Sequence, residues 1–388
     1  MENLAVLGTY VKDWVEMTDI PPTDATTNAE CGAAYLSLRD ELSTIANAEH
    51  LVVLAGSGTS LGIVDESGSC PAPSMAVLWK EIAALPSFLK VQAQLSKAPI
   101  ENENLEHVLS DAQARLALNS GAQGLETFIR EAEGIVWDKC SFIDGSSELG
   151  AHELFLRKVA RRSTRLQRTQ LFTTNYDLAF ETAAQRTRFN AIDGFGYGGQ
   201  VFDGASFDLD YVRRRPHEPL TLEPNVFHLL KLHGSVNWEN EDGEVRKMCG
   251  GGKPSNPVLI YPSASKYQLS YRQPYLEFMS RFQMALREPD VGLIVVGFGF
   301  NDDHLTAPIE AALRSNVGMR AVFVSPGVRA VGRSSTFALV EQLIRRGDRR
   351  LTLLEGTFDD LVEVLPEVPP HEESDAHAER FAIGVSRY

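Results

Sequence analysis

Four stretches of this sequence place glycine or a small residue beside groups that can bind or activate a substrate, and each follows a short apolar run. The stretches are residues 55–60 (AGSGTS), 173–177 (TTNYD), 232–235 (LHGS) and 297–304 (GFGFNDDH). Glycine lets a backbone approach a ligand closely, while Asn, Asp and His supply hydrogen bonds and proton transfer. These residue types predict a site for a polar, nucleotide-like ligand.

The stretch AGSGTS is the candidate phosphate loop. Its Gly56, Ser57, Gly58 and Thr59 would bring backbone N–H groups close to a diphosphate. The dinucleotide fingerprint GxGxxG is not met, because Leu61 stands where the third glycine belongs. A tight turn between a strand and a helix, without any ligand, is the alternative interpretation.

The next two stretches carry candidate catalytic groups. The amide of Asn175 can hold a ribose hydroxyl or a water, and the carboxylate of Asp177 can accept a hydrogen bond from a sugar hydroxyl. Alternatively, Asn175 caps a helix predicted over residues 178–186, with Asp177 in its first turn. His233 can act as a general base near neutral pH, or it can simply be satisfied by a backbone carbonyl.

Two further strand ends can serve a second phosphate or ribose. Gly297, Gly299 and Asn301 belong to one of them, and Ser325, followed by Pro326 and Gly327, ends another strand in the same manner. Open α/β sheets bind ligands in the crevice at the carboxyl ends of their strands. The strand ends taken together therefore favour one shared site over a separate local explanation for each.

The elements that would position these residues alternate between strands and helices. Short runs rich in β-branched residues predict strands at residues 51–55, 171–174, 227–232, 258–261, 292–297, 320–325 and 351–354. Helical periodicity predicts helices at residues 75–89, 104–118, 125–137, 152–168, 274–287 and 303–314. This alternation predicts an α/β fold with a Rossmann-like, mostly parallel sheet flanked by helices.

The order of these elements predicts one main domain over residues 47–365, enlarged by a helical insertion at about residues 75–168, after the first predicted strand. Residues 1–46 are predicted to form a helical arm, and residues 366–388 an acidic, Pro-rich tail.

Arginines within the predicted helix 152–168 form a separate pattern. They are spaced by three and four residues and would share one helix face, either solvated or used for docking: Arg157, Arg161, Arg165 and Arg168.

Composition limits the class of protein. The chain has 388 residues and a formal net charge of −15, so bulk charge does not favour nucleic acid, and any DNA contact is expected through a partner. Its four cysteines form no CxxC pair, which is typical of reduced thiols. No apolar run reaches the roughly 20 residues of a membrane helix, and the N-terminus does not resemble a secretory signal. These features predict a cytoplasmic protein.

The ordered set AGSGTS, TTNYD, LHGS, GFGFND and VSPG resembles the sirtuin superfamily, and more closely the sirtuin-like domains of bacterial antiphage defence proteins. The resemblance covers roughly residues 47–360. It implies that Asn175 and Asp177 face the nicotinamide ribose of NAD+ and that His233 is the catalytic base. It also implies a set of residues that bind NAD+: Gly56, Ser57, Gly58, Thr59, Thr174, Gly297, Gly299, Asn301 and Ser325.

One departure from the resemblance bears on the reaction. Deacylating sirtuins carry a zinc ribbon of two CxxC pairs after the HG segment, where this chain holds only Cys249. The resemblance thus implies an NAD+ glycohydrolase that uses NAD+ as substrate, without zinc or a prosthetic group. An NAD-dependent deacylase and an NAD- or ADP-ribose-binding subunit without turnover are the alternatives. The implied partners are further copies of the chain and a hexameric HerA-type ATPase.

Overall fold

The β-branched runs form strands, and most of them join one large sheet. A computed structural model describes residues 4–17, 29–118, 124–196, 200–248, 252–259 and 273–367. Its strands are β1 (Leu4–Gly8), β2 (Val15–Met17), β3 (His50–Ala55), β4 (Gln170–Thr173), β5 (Asn190–Ile192), β6 (Val212–Arg213), β7 (Thr221–Leu222), β8 (Val226–Lys231), β9 (Gly234–Glu241), β10 (Glu244–Lys247), β11 (Pro257–Leu259), β12 (Val291–Val296), β13 (Arg320–Val324) and β14 (Leu351–Glu355).

Helices connect most of these strands. They are α1 (Ala29–Ala46), α2 (Met75–Ala83), α3 (Pro86–Val91), α4 (Lys97–Glu101), α5 (Leu105–Leu118), α6 (Leu125–Cys140), α7 (Gly150–Val159), α8 (Ala179–Thr187), α9 (Tyr275–Ala285), α10 (Asp303–Ser315), α11 (Ser335–Arg345) and α12 (Phe358–Val364). Within the described residues, none of these helices is long and apolar enough to cross a membrane.

The described part of the large sheet runs in the order β2-β1-β14-β13-β12-β3-β4-β8-β5. The strands from β14 to β5 are parallel, while β1 and β2 pair antiparallel at one edge. Every residue of β12 is buried, as expected for a parallel strand covered on both faces. The predicted α/β class with a mostly parallel, helix-flanked sheet is confirmed.

Each face of the sheet has its own apolar core. Along β3, Val52 and Leu54 join a cluster that includes Phe282 of α9, while Leu51 and Val53 join the opposite cluster. Alternation of side chains along a strand explains this division. Helices α9, α10 and α11 cover the first face, and α1, α7, α8 and α12 cover the second.

The predicted helical insertion is present between β3 and β4, where α2 to α7 lie. Helices α2 to α6 have a core of their own, to which Tyr176, Val236 and Leu259 of the main domain contribute, whereas α7 packs on the second face of the sheet. The indole Nε1 of Trp137 donates to the carbonyl of Val236 at 2.7 Å, which ties α6 to β9. Helices α2 to α6 therefore pack together on the carboxyl-end side of the sheet.

Three sequence predictions need correction. The predicted helical arm is wrong for residues 4–17, which form β1 and β2 because the fully buried β1 pairs with β14. Of the strand predicted at residues 258–261, residues 258 and 259 lie in β11, which pairs antiparallel with β9 in a separate small sheet and not in the parallel one, while residues 260 and 261 lie outside the described residues. The helix predicted over residues 75–89 is two helices, because the residue before Pro86 is biased away from helical conformation.

The arginine pattern also fails as a helix face. Helix α7 ends at Val159, so only Arg157 of that set is helical. Arg161 forms an isolated bridge with Asn225, and Arg168 pairs with Asp210 at 2.8 Å.

Of the predicted acidic tail, residues 368–388 lie outside the described part of the chain.

Candidate functional site

The candidate site lies where the strand order reverses. From β3 the chain continues to β4 on one side of the sheet, and it later returns to β12 on the other side of β3. Such a switch point opens a crevice at the carboxyl ends of the parallel strands. The stretches that follow β3, β4, β8 and β12 all reach this crevice.

The crevice contains a cavity of about 430 Å³, a volume within the size range of small-molecule sites. Among the residues predicted from sequence, the cavity wall contains Ser57, Thr174, Asn175, Asp177, His233, Gly297, Gly299 and Asn301. The helical insertion supplies the opposite wall with Met75, Leu78, Asn102, Glu103, Asn104, Leu105, Glu106 and Cys140. The insertion is therefore part of the cavity and not only an attachment to it.

The two glycine loops contact each other directly. The N–H of Gly58 donates to the carbonyl of Gly297 at 3.0 Å. A Cβ on Gly56 would lie 2.4 Å from that same carbonyl oxygen, and one on Gly297, whose φ is +64°, would lie 2.7 Å from the nitrogen of Thr59. These glycines are required because backbone packs on backbone here.

Because of that packing, some of the predicted binding residues line the cavity and others do not. Gly56, Gly58 and Thr59 lie behind the cavity wall, and Ser325 also lies outside it. The hydroxyl of Ser325 accepts the N–H of Gly327 at 3.2 Å and so closes the turn after β13. Contact between these residues and a ligand stays a prediction.

A hydrogen-bond network fixes the orientation of the Asn175 amide. Its Nδ2 donates to Thr59 Oγ1 at 3.1 Å and to Ser60 Oγ at 2.9 Å. Both hydroxyls donate elsewhere, Thr59 to the carbonyl of Gly56 and Ser60 to Asp177, so the amide side facing them must be the donor. The Oδ1 of Asn175 is buried and has no hydrogen-bond partner in the structure. The acceptor capacity of this oxygen is therefore unused within the protein.

Asp177 serves both the network and the next helix. Its Oδ2 accepts from Ser60 at 2.8 Å, and its Oδ1 accepts the N–H of Ala179, the first residue of α8, at 3.0 Å. The alternative interpretation, in which Asn175 caps the helix and Asp177 lies in its first turn, is wrong, because α8 begins at Ala179 with Leu178 as its N-cap and both residues precede it. Beneath it, the buried Lys231 pairs with Glu181 at 2.9 Å and donates to the carbonyl of Asp177.

His233 lies between two carboxylates. Its Nε2 is 3.1 Å from Oδ2 of Asp302, and its Nδ1 is 3.7 Å from Oε1 of Glu106. Burial tends to raise the pKa of the Asp302 carboxyl, but the hydrogen bond and charge of His233 and the N–H of His304 together hold that pKa below its usual value. His233 is 3% exposed, so these contacts are shielded from solvent. The partner of Nε2 is thus a carboxylate and not the backbone carbonyl that the alternative interpretation of His233 predicted.

Sequence reasoning missed three residues of this site. Ser60 closes the predicted loop AGSGTS and links Asn175 to Asp177. Asp302, just before the helix predicted over residues 303–314, is not predicted as a partner of His233, and it also caps that helix. Glu106 lies in the insertion, where its sequence carries no signal beyond an acid in the first turn of a helix.

The arrangement therefore combines a fixed amide acceptor, a buried carboxylate and a histidine oriented by an acid, which is a set suited to binding a hydroxylated substrate and moving a proton. Among the described residues, no group of three or more His, Cys, Asp or Glu side chains is placed to hold a metal ion. Cys249, the cysteine in the interval of the sirtuin zinc ribbon, lies outside the described residues.

The fold and site define an α/β protein with a Rossmann-like sheet and a ligand crevice at its switch point. The family model of the SIR2-like domain matches residues 169–334, which supports a sirtuin-like domain in this chain and an NAD-related activity in general. The match begins at β4 and includes Asn175, Asp177, His233 and Asp302, but not the first glycine loop or the insertion. No curated protein matches the chain closely enough to be named as a relative.

Proposed function

We propose that this protein is an NAD+ glycohydrolase, which cleaves the bond between nicotinamide and ribose to give nicotinamide and ADP-ribose. The observation that carries the proposal is the convergence of Asn175, Asp177 and His233 on one cavity. The SIR2-like match over this part of the chain supports NAD+ as the substrate, since that family is associated with NAD-dependent enzymes.

The unpartnered Oδ1 of Asn175 fits the proposed substrate. A ribose hydroxyl is a donor, and its hydrogen bond would satisfy an acceptor that is otherwise buried without one. Because Thr59 and Ser60 hold the amide from behind, Asn175 would orient the sugar without itself reorganising.

Asp177 would stabilise the positive charge that develops on the ribose. Cleavage of the glycosidic bond passes through a state in which positive charge develops on the ribose. The carboxylate of Asp177 is 7% exposed, so its field at the cavity is weakly screened. Its position is fixed before the reaction by Ser60 and by the N-terminus of α8.

Proton transfer falls to His233. The bond from C1′ to the nicotinamide nitrogen breaks with its electron pair on nicotinamide, which leaves as a neutral molecule. A bond from water oxygen to C1′ forms, and His233 accepts one proton from that water before releasing it to solvent. Asp302 holds the ring in place during this step.

The test is incubation of the purified full chain with NAD+, followed by chromatography of the products. Wild type is expected to release nicotinamide and ADP-ribose, and His233→Ala to lose activity by about 10²-fold or more while remaining folded at the assay temperature. His217→Asn, at an exposed histidine in the turn between β6 and β7, is the matched control. Undiminished release by a folded His233→Ala protein would contradict the proposal.

Two other outcomes would each favour one of the alternative functions. Tight binding of NAD+ without turnover, even with partners added, would favour a regulatory binding subunit. NAD-dependent loss of acetyl groups from a peptide would favour a deacylase.

The proposal includes a biological role that rests on the sequence resemblance. We propose that the enzyme is a cytoplasmic homo-oligomer that depletes NAD+ in antiphage defence and associates with a hexameric HerA-type ATPase, which would carry any contact with DNA. Co-expression with such an ATPase and size-exclusion chromatography test this assembly. A shared peak is expected, and two independent peaks would contradict it.

A further inference from the structure

The helical insertion brings a carboxylate to the candidate base. Glu106 is the second residue of α5, and its Oε1 lies 3.7 Å from Nδ1 of His233. Both residues line the cavity. This contact joins an element inserted after β3 to a residue that follows β8.

The contact with Asp302 determines which nitrogen of the His233 ring carries a hydrogen. The Asp302 carboxyl, whose pKa lies below its usual value, is ionised near neutral pH and can only accept a hydrogen bond. The Nε2 of His233 must therefore carry the hydrogen that it shares with Asp302. In the neutral ring Nδ1 then holds the lone pair, so Nδ1 is the atom that can take a proton, and it is the atom beside Glu106.

We propose, on the basis of the proposed function, that Glu106 is a positioning residue for His233: its carboxylate stabilises the imidazolium that forms when Nδ1 takes a proton from the attacking water. The helical insertion accordingly completes the active site. A carboxylate beside a developing positive charge lowers the energy of the charged state without touching the reacting atoms.

The insertion holds Glu106 firmly enough for this role. Its neighbours Leu105, Val108 and Leu109 are buried in the core that the insertion shares with Tyr176 and Val236. The side chain of Asn104 accepts the N–H of His107 at 3.1 Å and so caps the start of α5. The backbone that carries Glu106 is thereby fixed to the sheet end that carries His233.

Tyr176 also faces the imidazole of His233, with 6.4 Å between the ring centroids, and other charged and titratable groups lie one contact further away. Tyr275 and His304 interact with Asp302, and Lys231 lies under the carbonyl of Asp177. None of these is changed by a substitution at Glu106. Loss of that single negative charge should therefore make protonation of His233 less favourable, because one of the two carboxylates beside the ring is gone.

Kinetics supply the first test. Glu106→Gln is expected to lower kcat at least about ten-fold, with KM changed less than about three-fold, and to move the pH profile of kcat. Glu106→Asp should recover part of the activity, because it restores the charge. Glu101→Gln, an exposed acid on α4 of the same insertion, is the matched control. Wild-type kcat and pH profile in a folded Glu106→Gln protein would overturn the proposal.

Nuclear magnetic resonance supplies a test that needs no turnover. The imidazole signal of His233 in ¹³C-histidine-labelled protein is assigned by its loss in His233→Ala, and its titration is followed in wild type and in Glu106→Gln. The midpoint is expected to fall by about half a pH unit or more in the variant. An unchanged midpoint would overturn the proposal, whereas failure of wild type to cleave NAD+ with a shifted midpoint would refute only the proposed function.

Discussion

The carboxylate of Asp302 binds two partners at once: Oδ2 lies 3.1 Å from Nε2 of His233, and Oδ1 accepts the N–H of His304 at 2.9 Å. The first contact orients the candidate base, and the second caps α10. One side chain thus joins the end of β8 to the start of α10. Burial of both residues makes the contact a fixed feature of the folded state and not a solvent-exposed ion pair.

Replacement of Asp302 by asparagine should separate these two roles. Asn is also a good helix cap, so the free energy of unfolding is expected to change by no more than about 1 kcal/mol. An amide can donate as well as accept, so the hydrogen on Nε2 of His233 is no longer enforced, and nicotinamide release should fall by about 10²-fold or more. Initial rates from chromatography, with Asp303→Asn as the exposed neighbouring control, check this expectation. Full activity in Asp302→Asn would show that the ring needs no acid.

Replacement of Asn175 by alanine should abolish nicotinamide release with a small effect on stability. Thr59 and Ser60 each keep their own acceptor, so the loss of two buried hydrogen bonds is expected to cost about 1–2 kcal/mol. Product chromatography and urea unfolding measure the two effects. Asn47→Ala, at an exposed amide after α1, is the control. Retention of more than half of the wild-type rate would remove Asn175 from the site.

Gly297→Ala should destabilise the fold itself. Its φ of +64° is unfavourable for a residue with a Cβ, and that Cβ would lie 2.7 Å from the backbone nitrogen of Thr59. Strain and overlap together are expected to lower the free energy of unfolding by about 2 kcal/mol or more. Gly327→Ala, where the nearest atom is 3.8 Å away, should be nearly neutral. Equal urea midpoints for the two variants would contradict the close packing of the glycine loops.

Stability should fall as the pH drops from about 6.5 to about 4, partly through His152. Burial lowers the pKa of His152 to about 4, with the charge of Asp177 opposing this shift. An unfolded histidine titrates near 6.5, so within this window the unfolded chain binds a proton that the folded chain does not, and acid favours unfolding by up to about 3 kcal/mol.

His152→Leu is the variant that checks this pH dependence. Leucine keeps apolar contact with Phe180 and Phe358, whose rings lie 5.0 and 4.9 Å from the imidazole, and it cannot titrate. Its unfolding free energy should therefore change less between pH 7 and pH 5 than that of wild type, whereas His217→Asn should retain the wild-type slope. Parallel curves for His152→Leu and wild type would place the acid sensitivity elsewhere.

Local sequence was sufficient for the parallel strands and for the residues at their ends. The run over residues 292–297 predicted β12 almost to the residue, because a strand buried on both faces is apolar throughout. It was insufficient for β1, a short apolar segment whose state depends on pairing with β14 at the far end of the chain. Local sequence also predicted a helix as far as residue 168, whereas α7 ends at Val159 and Arg161 forms a bridge with Asn225.

The sequence by itself determined which residues could do chemistry here, since Asn175, Asp177 and His233 lie two to four residues after the ends of β4 and β8 and their types specify acceptors and a base. Only the tertiary structure decided which partners these residues have. The contacts of His233 with Asp302 and Glu106 join residues far apart in the chain. Such contacts depend on the order of strands in the sheet and on how the insertion packs, and no local pattern encodes either.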